Sequence, residues 1–310
     1  MDAAALERFE ASRNRLASLA YRLLGSAADA EDVVQDAFLR WEAADRGIIE
    51  VPEAWLTTVV TNLALDRLRS AKARRERAVG DWLPEPLLDG DPMLGPQDTA
   101  VQRESVTVAV LLLLERLTPV ERAVYVLREA FSHSHGEIAQ ILGISESASQ
   151  QYARRARLHV AAERRTEVDR AAARRIVEAF VTAASSGETD RLVELLTADA
   201  TGVSDGAGLM KSLMRYTGAD HLARVLRGGF KPTDAKRRLA GGAPALHAAV
   251  VNHGPAMVAT VDGRAVGAII LTVRDGRIAH AVSIAAPARL TRLAAQWNTT
   301  PHDEPPIAEW

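Results

Sequence analysis

The sequence predicts two small all-helical domains followed by an α+β domain. Amphipathic helical periodicity runs through residues 1–78 and again through residues 101–165. A segment rich in proline and glycine separates these two stretches and forbids long helices there. Beyond residue 166, strand-length apolar runs flank Asp262-Gly263 and Asp275-Gly276, the strongest hairpin-turn signals in the chain.

The composition indicates a soluble globular protein and excludes several classes of site. Of 310 residues, 47% are hydrophobic and 25% are charged. The net charge is −2, so a nucleic-acid surface must arise from local clustering of cations. The absence of cysteine excludes disulfides, thiolate zinc sites and cysteine nucleophiles. The N-terminus has no apolar signal core, and no apolar run reaches the roughly 20 residues needed to span a membrane. We therefore expect a cytoplasmic protein with no membrane partner.

The first helical stretch is expected to contain three helices. Gly25 ends the first, and the second, Asp29–Trp41, has an apolar inner face. Its outer face is acidic and on its own would be an ordinary solvated surface; it consists of Asp29, Glu31, Asp32, Gln35 and Asp36. The third helix, Glu53–Arg77, is expected to bury Trp55, Val59, Leu63 and Leu68.

A second face of the third helix has the chemistry of a nucleic-acid contact. Thr58, Asn62, Asp66 and Arg69 recur at helical spacing, and a basic run including Lys72, Arg74 and Arg75 follows. Amides and hydroxyls can meet bases while cations meet phosphate. The alternative is a solvent-facing helix end whose cations are favourably placed near the C-terminal dipole.

Residues 79–100 form a linker or domain boundary. The segment also contains Trp82, Leu83, Leu87, Leu88 and Met93. These side chains are too apolar for a simple flexible tether. We therefore expect the segment to lie pinned on a protein surface.

Residues 101–165 are expected to form one small all-helical domain. The apolar run VTVAVLLLLERL predicts a core helix, and Thr118-Pro119 with Glu121 predicts a capped helix start. In His135–Val160, Gly143 is suited to end one helix and Ser145 to cap the next. The pattern is that of a helix-turn-helix with its recognition helix second.

The second helix of this motif has two different stripes. Ser149, Ala153, Ala156 and Val160 make an inward stripe, although Ser149 has a hydroxyl where an aliphatic side chain would pack better. The opposite stripe has groups that hydrogen-bond base edges and phosphates: Ser147, Gln150, Gln151 and Arg154, with Arg155 on its cationic flank. The alternative is an ordinary helical hairpin with a solvated charged face.

The C-terminal part predicts helices on one face of an antiparallel sheet. Helices are expected at 171–185, 189–196 and near Asp220–Arg227. Strands are expected at 245–251, 256–261, 265–273 and 278–285, with Ala200–Val203 or Arg237–Ala240 as further candidates. The Pro-rich, acidic tail at Thr300–Trp310 is expected to be disordered.

In its order of elements, the N-terminal half resembles an extracytoplasmic-function (ECF) sigma factor, a sigma-70 family subunit of bacterial RNA polymerase. The resemblance lies in DAEDVVQDAFLRW, AWLTTVVTNLALDRLR, LTPVERAVYVLREAF and HGEIAQILGIS. The C-terminal part resembles a SnoaL-like domain of the NTF2-like cone fold, and WLPEPL is typical of the SigJ-like group that has this extension. The implied organisation is a region 2 domain at 1–78, a linker at 79–100, a region 4 domain at 101–165, a regulatory cone domain at 166–298 and a tail at 299–310.

The resemblance implies roles for the surface residues. The acidic helix, with Asp29, Glu31, Asp32, Gln35 and Asp36, corresponds to the region that docks on the β′ clamp helices, and region 4 meets the β flap. The −10 promoter element is implied to contact Thr58, Asn62, Asp66, Arg67, Arg69, Lys72, Arg74 and Arg75. The −35 element is implied to contact Ser147, Gln150, Gln151, Arg154 and Arg155. The family requires no cofactor.

The resemblance also implies a regulatory set, from which this chain departs in part. The set comprises Trp82, Leu83, Pro84, Glu85, Pro86 and Leu87 of the linker, and Asp205, Gly206 and Gly208. The family extension has a DGGGK-like and an NPDK-like motif; here they read DGAGL from Asp205 and APARL from Ala286. The lysine of the first and the Asn and Asp of the second are missing, which puts that control in doubt.

The predicted function is promoter recognition and transcription initiation as a sigma factor, with the C-terminal domain as a regulator. One alternative is a one-component helix-turn-helix regulator whose cone domain senses a small molecule. A third hypothesis is an acid–base enzyme, for which the candidates are Asp205, His221, His247 and His253. His133 and His135 are a weak metal pair with no third ligand nearby in sequence.

Overall fold

The computed structural model describes residues 3–75, 82–95, 99–160, 170–210, 212–300 and 305–309, and the side chains at 71–75 lie outside the description. The chain divides into two compact units. The first contains residues 1–79 and 90–163, and the second contains 80–89 and 164–310. Among the described residues, every helix is too short or too polar to cross a bilayer.

Three long helices begin the first unit, as predicted: α1 (Ala3–Leu24), α2 (Ala27–Ala43) and α3 (Pro52–Arg75). Gly25 follows α1 in the left-handed region at φ 65°. The Ser26 hydroxyl accepts the Asp29 N–H and caps α2. The inner residues of α2, including Val33 and Trp41, are fully buried against α1.

The buried stripe of α3 lies one position away from the predicted stripe. The structure buries Leu56, Val60, Ala64, Leu65 and Leu68. Trp55, Val59 and Leu63 are only half-buried, so the prediction for these three residues was wrong. Because α3 packs on both α1 and α2, its apolar surface is broad, and sequence periodicity alone did not locate its centre.

Four short helices and a longer fifth complete this unit: α4 (Ala100–Glu104), α5 (Val108–Leu114), α6 (Pro119–Tyr125), α7 (His135–Leu142) and α8 (Glu146–Val160). Thr118 and Glu121 form the predicted capping box. Gly143 ends α7 at φ 64°, and Ser145 Oγ accepts the Ala148 N–H at the start of α8. The predicted helix-turn-helix is therefore present.

The second unit is an α+β domain, as predicted. Its helices are α9 (Arg170–Ser185), α10 (Thr189–Leu195), α11 (Ala219–Phe230), α12 (Asp234–Ala240) and α13 (Pro287–Thr299). Its strands are β1 (Leu196–Ser204), β2 (Met214–Thr217), β3 (Ala245–Val251), β4 (Gly254–Val261), β5 (Arg264–Arg274), β6 (Arg277–Ile284) and β7 (Ala308–Glu309). Their order in the sheet is β2-β1-β6-β5-β4-β3-β7, and only β1 and β6 are parallel.

Two expectations for this unit were wrong. Residues 237–240 belong to helix α12 and not to a strand, because Thr233 caps the Lys236 N–H and directs the chain into a helical turn. The described part of the tail is ordered, since β7 pairs with β3 and the Ile307 N–H donates to Leu246 O at 2.7 Å. An edge strand such as β3 has unpaired backbone groups, and the tail satisfies some of them.

Candidate nucleic-acid and polymerase interfaces

Helix α8 presents the predicted polar stripe to solvent. Its buried residues are Ser149, Ala153, Ala156 and Val160, the four that the periodicity predicted. Consequently the five residues of the opposite stripe are exposed: Ser147, Gln150, Gln151, Arg154 and Arg155. The buried Ser149 hydroxyl lies 2.9 Å from His135 Nδ1, so this polar group is satisfied within the core.

The cations of α8 differ in how firmly they are held. Arg155 lies 3.1 Å from Glu121 and stacks over the Tyr152 ring at 4.8 Å. Arg157 pairs with Glu129 at 2.7 Å. Arg154 is exposed and has no ion pair within the described residues. Of the three, Arg154 is the cation readiest to contact an anionic ligand.

Helix α3 exposes most of its predicted polar face. Asn62, Asp66 and Arg69 are exposed, and Arg69 pairs with Asp66 at 3.1 Å. Thr58 is half-buried and donates its hydroxyl to Ala54 O at 2.9 Å, which leaves its oxygen lone pairs as the available group. The predicted contacts by the side chains of Lys72, Arg74 and Arg75 lie outside the described residues.

The acidic face of α2 is brought together with a residue predicted for DNA. Asp29, Glu31, Asp32 and Gln35 are exposed, and Asp36 is half-exposed. Arg67 of α3 lies 3.1 Å from Asp29, 3.2 Å from Asp32 and 3.4 Å from Asp36. Partial burial lowers the pKa of Arg67, but the hydrogen bond that Arg67 donates to Asp32, and the charge of that carboxylate, raise this pKa above its ordinary value. The guanidinium of Arg67 therefore faces the carboxylates of α2.

One exposed residue next to this face was not predicted from the sequence. Leu39 is 54% exposed on α2, one turn beyond Gln35 and Asp36. A large exposed apolar side chain beside charged residues is typical of a protein-binding site. The spacing of Leu39 from Asp32 and Asp36 along the helix places all three on one face, and this spacing could have identified Leu39.

The linker segment pairs with the edge of the sheet in the second unit, so the expectation of a pinned segment is confirmed. The Leu87 N–H donates to Asn252 Oδ1 and the Asn252 N–H donates to Leu87 O, both at 2.9 Å. The Asp89 N–H donates to Val250 O at 3.0 Å, and Leu88 pairs with Val251. Of the six linker residues in the implied regulatory set, Trp82 and Glu85 are half-buried, and the other four are buried: Leu83, Pro84, Pro86 and Leu87.

The two altered motifs of the second unit meet at Asp205. This carboxylate is 3% exposed and accepts the N–H groups of Ala207, Ala285 and Ala286 at 3.0–3.1 Å. Arg289 lies 3.5 Å from it. Gly206 and Gly208 both have positive φ, as does Ala207 between them. Asp205 therefore holds the DGAGL loop against the start of α13.

The four acid–base candidates do not share one site. Asp205 accepts hydrogen bonds from backbone donors, and the His221 ring makes an edge-to-face contact with Tyr216, with the ring centroids 5.5 Å apart. His247 lies 3.1 Å from Thr260 Oγ1, and His253 lies 3.5 Å from Asp89 of the linker. Of the metal pair, His135 contacts Ser149, and the described residues contain no group of three metal-ligating side chains.

A cavity of about 530 Å³ lies in the second unit. Apolar side chains from α13 and from strands β3, β4 and β5 line most of it, including Leu246, Met257 and Leu290. Ala207 and Ala285, next to the Asp205 contacts, are also part of its wall. The cations on its wall are Lys236, whose ammonium donates to Gly229 O and Lys231 O at 2.9 Å, and the exposed Arg264.

These sites can be compared with known families. Residues 8–74 match the family model for sigma-70 region 2, and residues 107–160 match the model for sigma-70 region 4. The first match contains α2 and α3 with their exposed faces, and the second contains the helix-turn-helix. Together with the whole-chain relatives described next, these matches show that the chain belongs to the ECF RNA polymerase sigma factors.

The resemblance to individual relatives extends to the C-terminal domain. The chain is 39% identical to the ECF RNA polymerase sigma factor SigJ of Mycobacterium tuberculosis, over 92% of this chain and 93% of SigJ. It is 33% identical to the probable sigma factor SigI of the same species, over 93% and 95% of the two chains. The crystal structure of M. tuberculosis SigJ superposes with a TM-score of 0.68 at 34% identity, covering 93% of this chain and 98% of SigJ.

Proposed function

We propose that this sigma factor reads the −35 element with α8, holds the −10 element with α3 and docks on core RNA polymerase through the acidic face of α2. The observation that carries this proposal is the surface of α8. All five of its predicted contact residues are exposed, while the stripe on the opposite side of the helix is buried. The amides of Gln150 and Gln151 can pair with adenine edges, and Arg154 can pair with guanine or phosphate.

The −10 contact rests on a smaller set of groups. Asn62, Asp66 and Arg69 are exposed on one face of α3 and offer an amide, a carboxylate and a guanidinium. Such groups suit an unpaired strand, whose base edges are accessible. Each DNA contact is small by itself, and a polymerase that holds both at one separation combines their affinities through effective concentration.

The polymerase contact rests on carboxylates next to an exposed apolar side chain. Asp32, Asp36 and Leu39 lie on one exposed face of α2. A cationic partner surface with an apolar pocket is complementary to this arrangement. Arg67 already neutralises part of the face, so a partner must compete with it for Asp32 and Asp36.

Charge reversal of the acidic face tests this assignment. We expect the double variant Asp32→Lys, Asp36→Lys to bind core polymerase about tenfold more weakly or worse, and to lose promoter-dependent transcription, because cations then face cations. The control is Glu7→Lys, Glu10→Lys, which makes the same charge change on the exposed face of α1. Unchanged polymerase binding by a folded double variant would refute the docking site. Tight, specific duplex binding without polymerase would favour the one-component regulator.

The C-terminal domain is proposed to regulate this activity through the linker. It holds residues 87–89 by strand pairing, and Gln296 Oε1 of α13 accepts the Leu88 N–H at 3.3 Å. The same helix lines the cavity with Leu290 and Ala294. A ligand in the cavity would therefore contact the helix that contacts the linker.

The walls of the cavity favour an apolar small molecule with one anionic group, which Arg264 would meet at the wall. A medium-chain fatty acid is a suitable probe. We expect it to raise the melting temperature of the wild-type chain, and not that of Leu290→Trp, whose indole would fill the cavity. Equal shifts for both chains would place binding elsewhere, and no shift for the wild type would reject this ligand class.

A further inference from the structure

Helix α12 forms part of the cavity wall but has no buried face. None of its seven residues is buried, although Lys236, Leu239 and Ala240 line the cavity. Leu239 is 56% exposed, so the cavity reaches solvent beside α12. By contrast α11, which comes just before it, buries five residues, including Leu222 and Phe230. A helix without a buried face is held weakly, since apolar packing provides most of the stability of helices in proteins.

The side chain of Lys236 ties α12 to the end of α11. Its ammonium donates to Gly229 O and Lys231 O at 2.9 Å, and it also contacts Gly228 O. Burial lowers the pKa of Lys236, and the nearby charge of Lys231 lowers it further. The two ammonium groups therefore repel each other, and an anion bound beside them would reduce this repulsion.

Glycine pairs flank α12 on both sides. Gly228 and Gly229 lie in the last turn of α11, where glycine destabilises a helix relative to alanine. An added Cβ would meet nothing within 4 Å at either position, so packing does not require glycine there. Gly241 follows α12 at φ 85°, and an added Cβ on Gly242 would overlap Val261 Cγ1. The segment thus has a weak turn at one end and an anchored glycine at the other, and we refer to residues 228–240 as the lid.

The lid and the adjoining wall of the cavity are cationic. Lys231, Arg237 and Arg238 are exposed on the lid, and Arg264 is exposed on the cavity wall. Arg237 lies 3.8 Å from Asp234, whereas Lys231, Arg238 and Arg264 have no ion pair within the described residues. The described residues that line the cavity include no Asp or Glu. This charge distribution favours a ligand with more than one negative charge at one end, as in a phosphate.

We propose that the lid opens to admit a single-chain lipid phosphate, whose alkyl chain fills the cavity and whose phosphate is bound by the cations of the lid and Arg264. This inference rests on the proposed ligand site and specifies its ligand class and its entrance. The alkyl chain would lie against the apolar wall that contains Leu246 and Met257. Closing over that chain would bury the exposed side chain of Leu239, which stabilises the closed lid.

Labelling of a single cysteine in the cavity measures the opening of the lid. The natural chain has no cysteine, so Met257→Cys, at a buried position on the wall, is the single site for a maleimide. In this background we expect Lys236→Met to speed labelling about tenfold or more, because the lid loses its tie. The pair Gly228→Ala, Gly229→Ala should slow labelling about threefold, because a firmer last turn of α11 resists opening.

The control is Arg224→Met, which removes an exposed cation of α11 outside the lid and should label as the parent chain does. The two lid variants change the rate in opposite directions, so loss of folding cannot explain both results. Equal labelling rates in all four chains would show that α12 does not gate the cavity and would overturn the proposal.

Dodecyl phosphate, added as a monomer, tests the ligand class. We expect it to protect Met257→Cys from the maleimide and to bind about tenfold more tightly than dodecanoic acid, because phosphate has the larger charge. The pair Arg237→Ser, Arg238→Ser should remove this difference between the two probes. Equal protection by both probes in the parent chain overturns the present inference and leaves the proposed ligand site intact, whereas protection by neither overturns both.

A separate arm distinguishes a membrane surface from a soluble ligand. The chain is mixed with vesicles of phosphatidylcholine that contain phosphatidic acid, which presents the same phosphate on a bilayer. Under the proposal, these vesicles bind the chain no more tightly than vesicles of phosphatidylcholine alone. Binding to the acidic vesicles without protection of Met257→Cys by dodecyl phosphate would assign the cations to a membrane surface and overturn the proposal.

Discussion

At the scale of single residues, Ser149 shows how a poor core residue serves a polar neighbour. Periodicity places its hydroxyl in an apolar stripe, where a larger aliphatic side chain would pack better. The structure provides a partner in His135 Nδ1 at 2.9 Å, on the other helix of the helix-turn-helix. This contact links α7 to α8 and so helps to set the angle at which the recognition helix is presented.

Alanine variants of Ser147 and Ser149 should separate an effect on stability from an effect on DNA binding. We expect Ser149→Ala to destabilise the α7–α8 pair by about 1 kcal/mol, since His135 loses its buried partner. Amide hydrogen exchange in α7 and α8 should then be about fivefold faster. Ser147→Ala, at an exposed position, should leave exchange unchanged and weaken binding to −35 duplex DNA. Equal exchange in both variants would contradict a structural role for Ser149.

A second residue, His133, is expected to make the stability of the first unit depend on pH. Its Nε2 is buried and has no hydrogen-bond partner within the described part of the chain. Burial lowers the pKa of His133, Arg15 lowers it further, and Glu137 at 3.9 Å opposes them. Because the folded pKa lies below the unfolded value of 6.5, the unfolded chain binds the proton more readily.

The stability due to neutral His133 is therefore present above pH 6.5 and is lost as the pH falls through the folded pKa. We expect the melting temperature of the first unit to fall by a few degrees between pH 7.5 and 5.5. In His133→Gln this fall should be smaller. His159→Gln, a change at an exposed position, serves as the control and should behave as the wild type. A His133→Gln variant with the full fall would show that other groups are responsible.

At the scale of elements, the turn of the β3–β4 hairpin also holds the linker. Its turn residues, Asn252 and His253, both have positive φ, at 49° and 58°. Asparagine tolerates this conformation, and histidine does so less well. Both residues contact the linker, Asn252 through its amide oxygen and backbone and His253 through Asp89. These contacts explain why the two turn positions have asparagine and histidine, although glycine would adopt the positive φ with less strain.

Replacing Asn252 should release the linker without disrupting the sheet. We expect Asn252→Ala to raise hydrogen exchange in residues 82–89 by about tenfold, because a buried N–H loses its acceptor. Asp262→Ala is the matched control: Asp262 has φ 51° in the neighbouring hairpin turn and is exposed, so it tests the backbone cost alone. If both variants leave the linker equally protected, Asn252 does not hold it. If the linker regulates the sigma factor, Asn252→Ala should change transcription with core polymerase and Asp262→Ala should not.

At the scale of the whole molecule, the proposed division of promoter contact between α3 and α8 would account for the charge balance. A net charge of −2 is unusual for a protein that binds DNA unaided. Two small contact faces need less cationic surface when a larger complex holds them at a set distance. In the proposed function, the acidic face of α2 is a separate site for that complex.

Promoter spacing tests this division. Inserting about 5 base pairs between the two elements turns one by half a helical turn relative to the other. We expect the affinity of the polymerase complex for such a promoter to fall about 100-fold or more, toward that for one element. Binding of the chain alone to a −35 duplex serves as the reference and should not depend on the spacer. Equal affinities for both spacings would show that the elements are bound independently.

The sequence by itself determined most helices, most strands and the family, but it did not predict α12 or α13. Gly25, Gly143, Thr118 and the two Asp-Gly turns act within a few residues, so their effect on the backbone can be inferred locally. The buried stripe of α8 also follows from local periodicity, because that helix packs on one side only. Where a helix packs on several sides, as α3 does, the same method placed the stripe one residue away.

Only the tertiary structure decided which distant groups meet. The pairing of Arg67 with α2, of Leu87 with Asn252 and of Arg22 with Ser105 joins residues that lie 31 to 165 positions apart. The strand pairing of the tail and the meeting of the two altered motifs at Asp205 are of the same kind. A hydrogen bond between distant residues leaves no periodic signal in the sequence, because its partners are brought together by the packing of whole elements.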